Sequence, residues 1–359
     1  MGIRAKLTFG AALCALTLAV GQPAFATSVQ TSGLASAGAV AHATSSACAG
    51  ATVLTPQAGT VATAQSMGMT ASADGFYARA AASHATWLSS MSCTKTGRTH
   101  ALQPAGGGAT GSAAAATAGG AVRNAGLVSS NWSGYQINKT AQYVQSGWTV
   151  PTVIRPNPGY STNGYYSSTW SGIGGGFNAG SGALIQSGTT QDVSANGATS
   201  YYAWYEIVGG THDTGGEVRI NNLAVHPGDV VGSGVLWTPA GGAILGVCNF
   251  SSGAGCINFT LASSAPGTSE EWIVEAPYLN GILPLADFGQ VNFINACWQT
   301  TFQSGGSCSS ISAGGPQAIS LQQYVFKAYQ TLAVPQGGFT NNGENFSDLY
   351  FLPERCPTC

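Results

Sequence analysis

The sequence predicts an all-β domain from about residue 124 to residue 359. This part of the chain consists of short runs of β-branched and aromatic residues, interrupted at close intervals by Gly, Pro, Asn and Ser. It contains no long stretch with the 3.6-residue periodicity of an amphipathic helix. With about 235 residues it is long enough to bury a substantial hydrophobic core, so we expect one β domain here.

The first 26 residues have the three parts of a secretory signal peptide. Arg4 and Lys6 supply the positive charge, residues 7–20 form the apolar run, and the run is followed by Ala24 and Ala26 at a cleavage site. The apolar run is shorter than the ~20 residues that a membrane-spanning helix needs, so a membrane anchor is the weaker interpretation. We therefore expect a secreted, extracellular protein with no membrane partner.

Residues 27–123 have the composition of a prosegment. They are rich in Ala, Ser, Thr and Gly, and a low-complexity Gly/Ala run at about 104–122 predicts a linker. Only residues 74–92 show helical periodicity, which predicts one small helix.

Charge divides along the same boundaries. The prosegment has 4 basic and 1 acidic residues, whereas the β domain has 5 basic and 12 acidic residues. A net acidic domain argues against nucleic acid as a partner. Because only 7% of all residues are charged, the composition is compatible with an acidic working environment.

The cysteines indicate disulfide bonds. After the signal peptide, two cysteines lie in the prosegment and six in the β domain, an even number in each. In an oxidising compartment we expect local pairs between Cys248 and Cys256 and between Cys297 and Cys308. The terminal sequence CPTC lacks the βαβ context of a redox motif, and we expect it to staple the chain end.

Several common hydrolytic chemistries lack their residues. The β domain has only His212 and His226 and no HExxH motif, so we expect no metal or other cofactor. No GxSxG elbow indicates a serine hydrolase. The sequence Asp213-Thr-Gly matches the motif of pepsin-like peptidases, but their mechanism needs two such carboxylates and no second motif is present. We interpret it as a hairpin turn.

Polar residues within strand-like segments suggest another kind of site. In EEWIVEA, alternation places Glu271, Ile273 and Glu275 on one face of a sheet. The same rule groups the members of two further segments: Tyr202, Trp204, Glu206 and Val208 in one, and Leu184, Gln186 and Gly188 in the other. A glutamate and a glutamine on one tryptophan-rich sheet face could split an amide with water, with Glu275 as general base and Gln186 as oxyanion donor.

These segments, taken in order, resemble the glutamic peptidases, the eqolisin family of acid-acting endopeptidases. The matching motifs are SSNWSGY at 129–135, VP at 150–151, TWSGIGG at 169–175, LIQSG at 184–188, YYAWYE at 201–206 and EEWIVE at 270–275. Each motif alone is weak, but the ordered set spans about 150 residues of the domain and is specific.

The resemblance implies a concanavalin A-like sandwich of two antiparallel, roughly seven-stranded sheets, with a cleft on a concave face and protein or peptide substrates. It implies that Gln186 and Glu275 form the catalytic pair. The residues that match the family's substrate cleft are Trp132, Trp170, Trp204 and Glu206.

Three positions depart from the family pattern. Gly174, Thr190 and Tyr202 stand where related fungal enzymes carry aspartates. Those carboxylates would surround the catalytic pair with like charge, so the resemblance leaves the pKa of Glu275 and the pH optimum open. The cysteine positions also differ, so the family's disulfide pattern does not transfer.

The sequence therefore predicts a monomeric, secreted acid endopeptidase made as a zymogen. We expect the basic prosegment to lie against the acidic domain as an intramolecular inhibitor and to be removed by cleavage between Ala105 and Leu127. Three prosegment histidines would strengthen its positive charge as the pH falls: His42, His84 and His100. Two alternatives remain: a lectin-like module that uses the same sandwich to bind sugars, and a structural cell-surface protein.

Overall fold

A computed structural model describes residues 92–103, 126–221, 223–240, 242–251, 255–303 and 307–352, together with the backbone of 52–53. The predicted signal peptide, the Gly/Ala linker, the terminal CPTC and all but the last residue of the predicted helix lie outside the described residues. The division into signal peptide, prosegment and catalytic domain therefore stays a prediction.

The described part of the chain is almost entirely β-structure, as the sequence predicts, with no α-helix. Its strands are β1 (Thr52–Val53), β2 (Cys93–Lys95), β3 (Leu127–Ser129), β4 (Trp132–Ile137), β5 (Tyr143–Thr149), β6 (Tyr165–Ile173), β7 (Leu184–Val193), β8 (Thr199–Val208), β9 (Val218–Ile220), β10 (Val230–Thr238), β11 (Gly242–Asn249), β12 (Gly255–Ala262), β13 (Glu270–Glu275), β14 (Gln290–Gln299), β15 (Ser309–Ser310), β16 (Gln317–Val325), β17 (Ala328–Thr340) and β18 (Asn345–Tyr350). Short 3₁₀ helices occupy Ile311–Gly314 and Asn341–Gly343.

The described strands form two antiparallel runs of seven. The first run has the order β16-β4-β13-β6-β7-β8-β9, and the second has the order β17-β18-β14-β5-β10-β11-β12. The hairpin of β16 and β17 joins the runs into one hydrogen-bonded network. The parallel pairing of β3 with β16 is an addition to the end of the first run.

The two runs pack face to face around the main hydrophobic core. Trp272 and Val274 of β13 point into this core, as alternation predicts, beside residues such as Trp148 and Phe293. Polar contacts also cross between the sheets: Trp148 Nε1 donates to Thr189 Oγ1 at 3.1 Å. Because each of these groups would be costly to bury unpaired, the contacts favour one alignment of the two sheets.

One short strand of the predicted prosegment extends the first sheet. Strand β2 pairs antiparallel with β9, which is otherwise the last strand of that run, with Cys93 opposite Ile220 and Lys95 opposite Val218. The chain that follows β2 continues across the face of the sheet that points away from the main core. The structure thus places part of the predicted prosegment directly on the domain.

The described cysteines confirm one of the two predicted disulfide bonds. Cys297 and Cys308 are bonded, as predicted. Cys248 also takes part in a disulfide, and the register of β11 and β12 places Cys256 directly opposite it. Cys93 is disulfide-bonded as well.

In the described segments, no helix has the length and apolar character that crossing a membrane requires.

Candidate active site

A second, smaller apolar cluster lies on the outer face of the first sheet and forms the floor of the candidate site. We call it the cleft floor, and its buried members are Trp132, Trp170, Leu184, Tyr202, Trp204, Ile273 and Ile319. They come from β4, β6, β7, β8, β13 and β16, which are neighbours in the sheet. The alternation rule predicts this grouping, because each residue lies on the opposite face from its neighbours in the main core.

The strand register brings the predicted polar residues onto the same face. Gln186 of β7 lies directly opposite Glu206 of β8. Glu275 closes β13, which pairs with β6, the other neighbour of β7. All three side chains are fully buried. The strands β13, β6, β7 and β8 are consecutive neighbours in the sheet. The structure therefore places Gln186, Glu206 and Glu275, which the sequence predicts as site residues, on the same face of that sheet.

Glu275 is held by donors on both carboxylate oxygens. Trp170 Nε1 donates to Oε2 at 2.8 Å, and Asn131 Nδ2 donates to Oε1 at 2.8 Å. His100 Nδ1 lies 3.0 Å from Oε2. Burial raises the pKa of Glu275, and the charge of His100 and the hydrogen bonds from His100 and Trp170 partly offset that rise. The carboxylate is thus fixed in orientation by an indole and an amide.

Gln186 has unused hydrogen-bonding capacity. Its Nε2 donates to Glu206 Oε2 at 3.1 Å, whereas its buried Oε1 accepts no hydrogen bond from the described residues. A buried amide oxygen without a partner is costly, and such groups concentrate at functional sites. Burial raises the pKa of Glu206 to about 8. Gln186 is thus positioned by a carboxyl group that is protonated in acid.

His100 is a site residue that the sequence did not single out for this position. It belongs to the predicted prosegment, yet its side chain is fully buried in the cleft. Its ring stacks on Trp204 with centroids 4.0 Å apart and planes 6° from parallel. Its Nε2 lies 2.8 Å from Glu217 Oε2, and its backbone N–H donates to Glu206 Oε2 at 3.0 Å.

Glu217 is a second residue that sequence reasoning missed. It is fully buried, and besides His100 it accepts hydrogen bonds from Tyr202 Oη at 2.8 Å and Thr190 Oγ1 at 3.1 Å. Burial alone would raise its pKa, but the hydrogen bond and charge of His100, with the charge of Arg98, outweigh burial and hold the pKa below its ordinary value. Two of the three positions that lack the family's aspartates, Thr190 and Tyr202, thus donate hydrogen bonds to a glutamate from the turn before β9.

The third departing position, Gly174, cannot carry a carboxylate without rearrangement. Its φ is +86°, and a Cβ there would overlap the carbonyl oxygen of Ala183 and the amide nitrogen of Gly267. Any side chain would therefore meet both backbone strain and a steric clash. The absence of an aspartate at this position follows from the local backbone.

We expect Gly174→Ala to destabilise the fold far more than Gly180→Ala. Gly180 has a similar φ of +79°, but the structure places nothing within 4 Å of its added Cβ. Gly180→Ala should therefore cost about 1 kcal/mol from backbone strain alone, and Gly174→Ala about 1–3 kcal/mol more from overpacking. Urea unfolding of the two variants measures the difference, and equal midpoints would contradict the steric account.

The Asp213-Thr-Gly sequence lies in a turn, as interpreted from the sequence. The Asp213 carboxylate accepts hydrogen bonds from the backbone N–H groups of Gly209 and Gly215, both at 2.6 Å. An acid whose two oxygens cap its own loop has a local structural role.

Comparison with known proteins identifies the family. The sequence model described as the peptidase A4 family matches residues 130–326, which is more than half of the chain. The chain belongs to the peptidase A4 family. It is thus one of the glutamic peptidases, or eqolisins, and an endopeptidase that acts on peptide substrates.

Similar solved structures include two glutamic peptidases. One is scytalido-glutamic peptidase with a transition state analog inhibitor, at 20% identity and a TM-score of 0.45. The other is SCP-B, a member of the Eqolisin family, in a complex with the tripeptide Ala-Ile-His, at 20% identity and a TM-score of 0.43. Each match covers 62% of this chain and 98% of the other chain. No curated protein matches this glutamic peptidase by sequence.

Proposed function

We propose that this glutamic peptidase is a secreted, acid-acting enzyme in which Glu275 is the general base and acid and Gln186 is the oxyanion donor. The observation that carries the proposal is the position of both side chains on the cleft floor, where one histidine of the preceding chain links them. His100 contacts Glu275 through its ring and Glu206, the partner of Gln186, through its backbone. An extended substrate that crosses the same face would meet both groups.

The reaction follows from the two chemistries. Ionised Glu275 takes a proton from a water molecule, and the resulting hydroxide attacks the scissile carbonyl carbon. The negative charge that develops on the carbonyl oxygen is stabilised by the amide of Gln186. Protonated Glu275 then donates its proton to the leaving nitrogen, the C–N bond breaks, and an acid and an amine are released with Glu275 again ionised.

The neighbouring residues position this pair. Trp170 and Asn131 fix the orientation of the Glu275 carboxylate through their N–H groups. Glu206 holds the Gln186 amide by accepting from Nε2. Preorganised groups of this kind lower the barrier because they need not reorient as charge develops.

The choice of residues suits an acidic medium. An amide donor does not change its charge with pH, and a carboxylate base can stay ionised where a histidine base would be protonated. In the present form burial raises the pKa of Glu275. Exposure of the cleft to water would remove part of that burial and bring the pKa towards the ordinary range of a carboxyl group.

The segment before the domain would keep the enzyme latent. We propose that residues 1–26 direct export, that the prosegment inhibits the enzyme from within the same chain, and that maturation cuts between Ala105 and Leu127. The support is the pairing of β2 with β9 and the burial of His100 against the candidate catalytic groups. The net charges of opposite sign on the prosegment and the β domain favour the same arrangement.

We expect hydrolysis of denatured casein by the secreted chain below neutral pH, unaffected by pepstatin or EDTA. Pepstatin imitates a tetrahedral intermediate held between two aspartates, and Asp213 is engaged in a turn. The measurement is release of acid-soluble peptides between pH 2 and 8, with and without each inhibitor. Stoichiometric inhibition by pepstatin would contradict the assignment, and glycan binding without hydrolysis would favour the lectin-like alternative.

A further inference from the structure

Residues 92–103, which we call the latch segment, cross the cleft floor in an extended path. After β2, Glu217 N–H donates to Arg98 O at 2.8 Å, and Thr99 exchanges backbone hydrogen bonds with Tyr278, each of 3.0 Å. Beyond His100, Asn131 contacts both Ala101 and Gln103. The latch segment therefore bridges from the edge strand β9 to the start of β4, over the catalytic groups.

The His100 ring occupies the space between two carboxylates, those of Glu217 just before β9 and of Glu275 at the end of β13. Its Nδ1 lies 3.0 Å from Glu275 Oε2 and its Nε2 lies 2.8 Å from Glu217 Oε2. One face of the ring covers Trp204 at a centroid distance of 4.0 Å. A group that contacts Glu275 directly takes the place next to the base that the attacking water requires.

We propose that His100 is the latch of the zymogen: its imidazolium, clasped between Glu275 and Glu217, blocks the catalytic carboxylate until the latch segment is withdrawn. The inhibition of catalysis in this inference rests on the proposed function, whereas the clasp itself rests only on the contacts of His100. Glu217 is not part of the catalytic pair, and its role in this proposal is to hold the second ring nitrogen of His100.

The contacts of the ring require a positive charge. Both ring nitrogens face carboxylate oxygens, so both must carry protons to donate. Burial lowers the pKa of His100, but the charges and hydrogen bonds of Glu275 and Glu217 outweigh it and raise the pKa to about 10. The carboxyl groups that face the ring are Glu206 from β8, Glu217 from the turn just before β9, and Glu275 from β13.

Arg98 supports the latch two residues earlier. It forms a two-pronged ion pair with Asp192, at 3.1 and 2.8 Å, and Nη1 also donates to Tyr202 Oη at 3.0 Å. Its guanidinium lies 4.9 Å from the ring centroid of Tyr166. Two cations of the latch segment, Arg98 and His100, thus contact carboxylates of the domain, whereas Lys95 of the same segment is exposed.

The sign of the pH dependence follows from the two partners. The raised pKa of His100 stabilises the clasp fully below the ordinary histidine value of about 6.5, and this stabilisation is lost as the pH rises through about 10. The lowered pKa of Glu217 stabilises the clasp above the ordinary carboxyl value, and this part is lost as the pH falls through the lowered value. These two contributions are both complete between about pH 4.5 and 6.5, and the contribution of Glu217 is lost in stronger acid.

The test uses the full chain and substitutes the latch residue. His100→Phe keeps a flat ring over Trp204 but loses both hydrogen bonds, and His100→Gln keeps a polar side chain without the charge. Lys95→Gln is the matched control, because it removes a cation that lies outside the clasp. The measurement is the initial rate on a fluorogenic peptide at pH 5, with intact mass confirming that the chain is uncleaved.

We expect the initial rates of wild type and Lys95→Gln to be very low. Both His100 variants should hydrolyse the peptide about 10- to 100-fold faster, a change that corresponds to the loss of one or two charge-assisted hydrogen bonds. Variants of His100 that stay as inactive as the uncleaved wild type, while the cleaved wild-type chain hydrolyses the same peptide, would overturn the latch. Calorimetric unfolding of each variant checks that the chain is folded.

A second measurement does not depend on catalysis. In a histidine-selective NMR titration of the full chain, the signal that His100→Gln removes should keep the shift of imidazolium up to at least pH 8, and Glu217→Gln should lower its midpoint. A midpoint near 6.5 in the wild type would overturn the clasp. If neither the His100 variants nor the cleaved wild-type chain hydrolyses peptide, the proposed function has failed, and this titration alone decides whether the clasp exists.

Discussion

Substitution of Glu275 by glutamine is expected to reduce kcat/KM by about a thousandfold or more, because it removes the base that activates water. The side chain keeps nearly the same size on the buried cleft floor, so the fold should persist. Gln186→Ala should cost about 10²- to 10³-fold, the usual effect of losing one oxyanion donor. These are the largest functional effects that the structure predicts.

The assay compares full chains incubated at the same acidic pH and then given denatured casein. Glu344→Gln and Gln290→Ala are the matched controls, because both remove similar groups outside the cleft motifs, on residues that are not fully buried. Retention of more than a few per cent of wild-type turnover by either site variant would remove that residue from the mechanism. Near-UV circular dichroism reports whether the tryptophan-rich cleft floor stays packed.

Stability is expected to be greatest in acid and to fall steeply as the pH rises. Among the described residues, three fully buried carboxyl groups lie outside the catalytic pair and its partners: Glu270, Glu271 and Asp348. Burial raises the pKa of Glu270 to about 9, that of Asp348 to about 8, and that of Glu271 well above its ordinary value. Neither carboxylate oxygen of Glu270 accepts a hydrogen bond from the described residues.

The direction follows from proton binding. Above the ordinary carboxyl pKa the unfolded chain loses protons that these groups keep in the folded chain, so folding becomes less favourable with each rise in pH. The stabilisation is complete below about pH 4.5 and is lost as the pH rises through the raised values of about 8 to 9. Each group contributes about 1.4 kcal/mol per pH unit within this window, so together they can consume a marginal stability of about 5–15 kcal/mol.

Differential scanning calorimetry between pH 3 and 9 measures this effect. We expect the unfolding temperature to fall continuously above about pH 5. Asp348→Asn and Glu270→Gln should each flatten the decline, because an amide carries no proton to lose. A constant or rising unfolding temperature across this range would show that these carboxyl groups are not protonated in the fold.

Much of the cleft could be predicted because strand alternation is a local property. The period of two places Glu275 with Ile273 and Gln186 with Leu184 without knowledge of the rest of the fold. The grouping of β6, β7, β8 and β13 on one sheet came from the family resemblance, since register between strands distant in sequence is not a local property.

The missed residues depend on contacts over long sequence separations. His100 meets Glu275 from 175 residues away, and nothing in its surroundings in sequence distinguishes it from His42 or His84. Glu217 follows the turn of Asp213 and therefore appeared to belong to a loop, yet the turn delivers it into the cleft. Long-range docking of the latch segment creates both roles.

Asn131 was within reach of sequence reasoning. It immediately precedes Trp132 in the first family motif, and its amide donates both to Glu275 and to Ala101 of the latch segment. Only the indole was selected from the motif, because aromatic side chains were expected to line the cleft. A buried asparagine beside a strand start is an equally specific signal when a carboxylate must be oriented.

The pairing of β2 with β9 also bears on how the molecule avoids association with its own copies. A sheet edge offers unpaired N–H and C=O groups to other chains, and natural proteins limit this by short or charged edge strands. Strand β9 has only three residues, Val218–Ile220, and Arg219 is the middle one. When β2 is withdrawn, the edge that it uncovers offers only three residues with a cation in the middle, which makes it a poor template for pairing with another sheet.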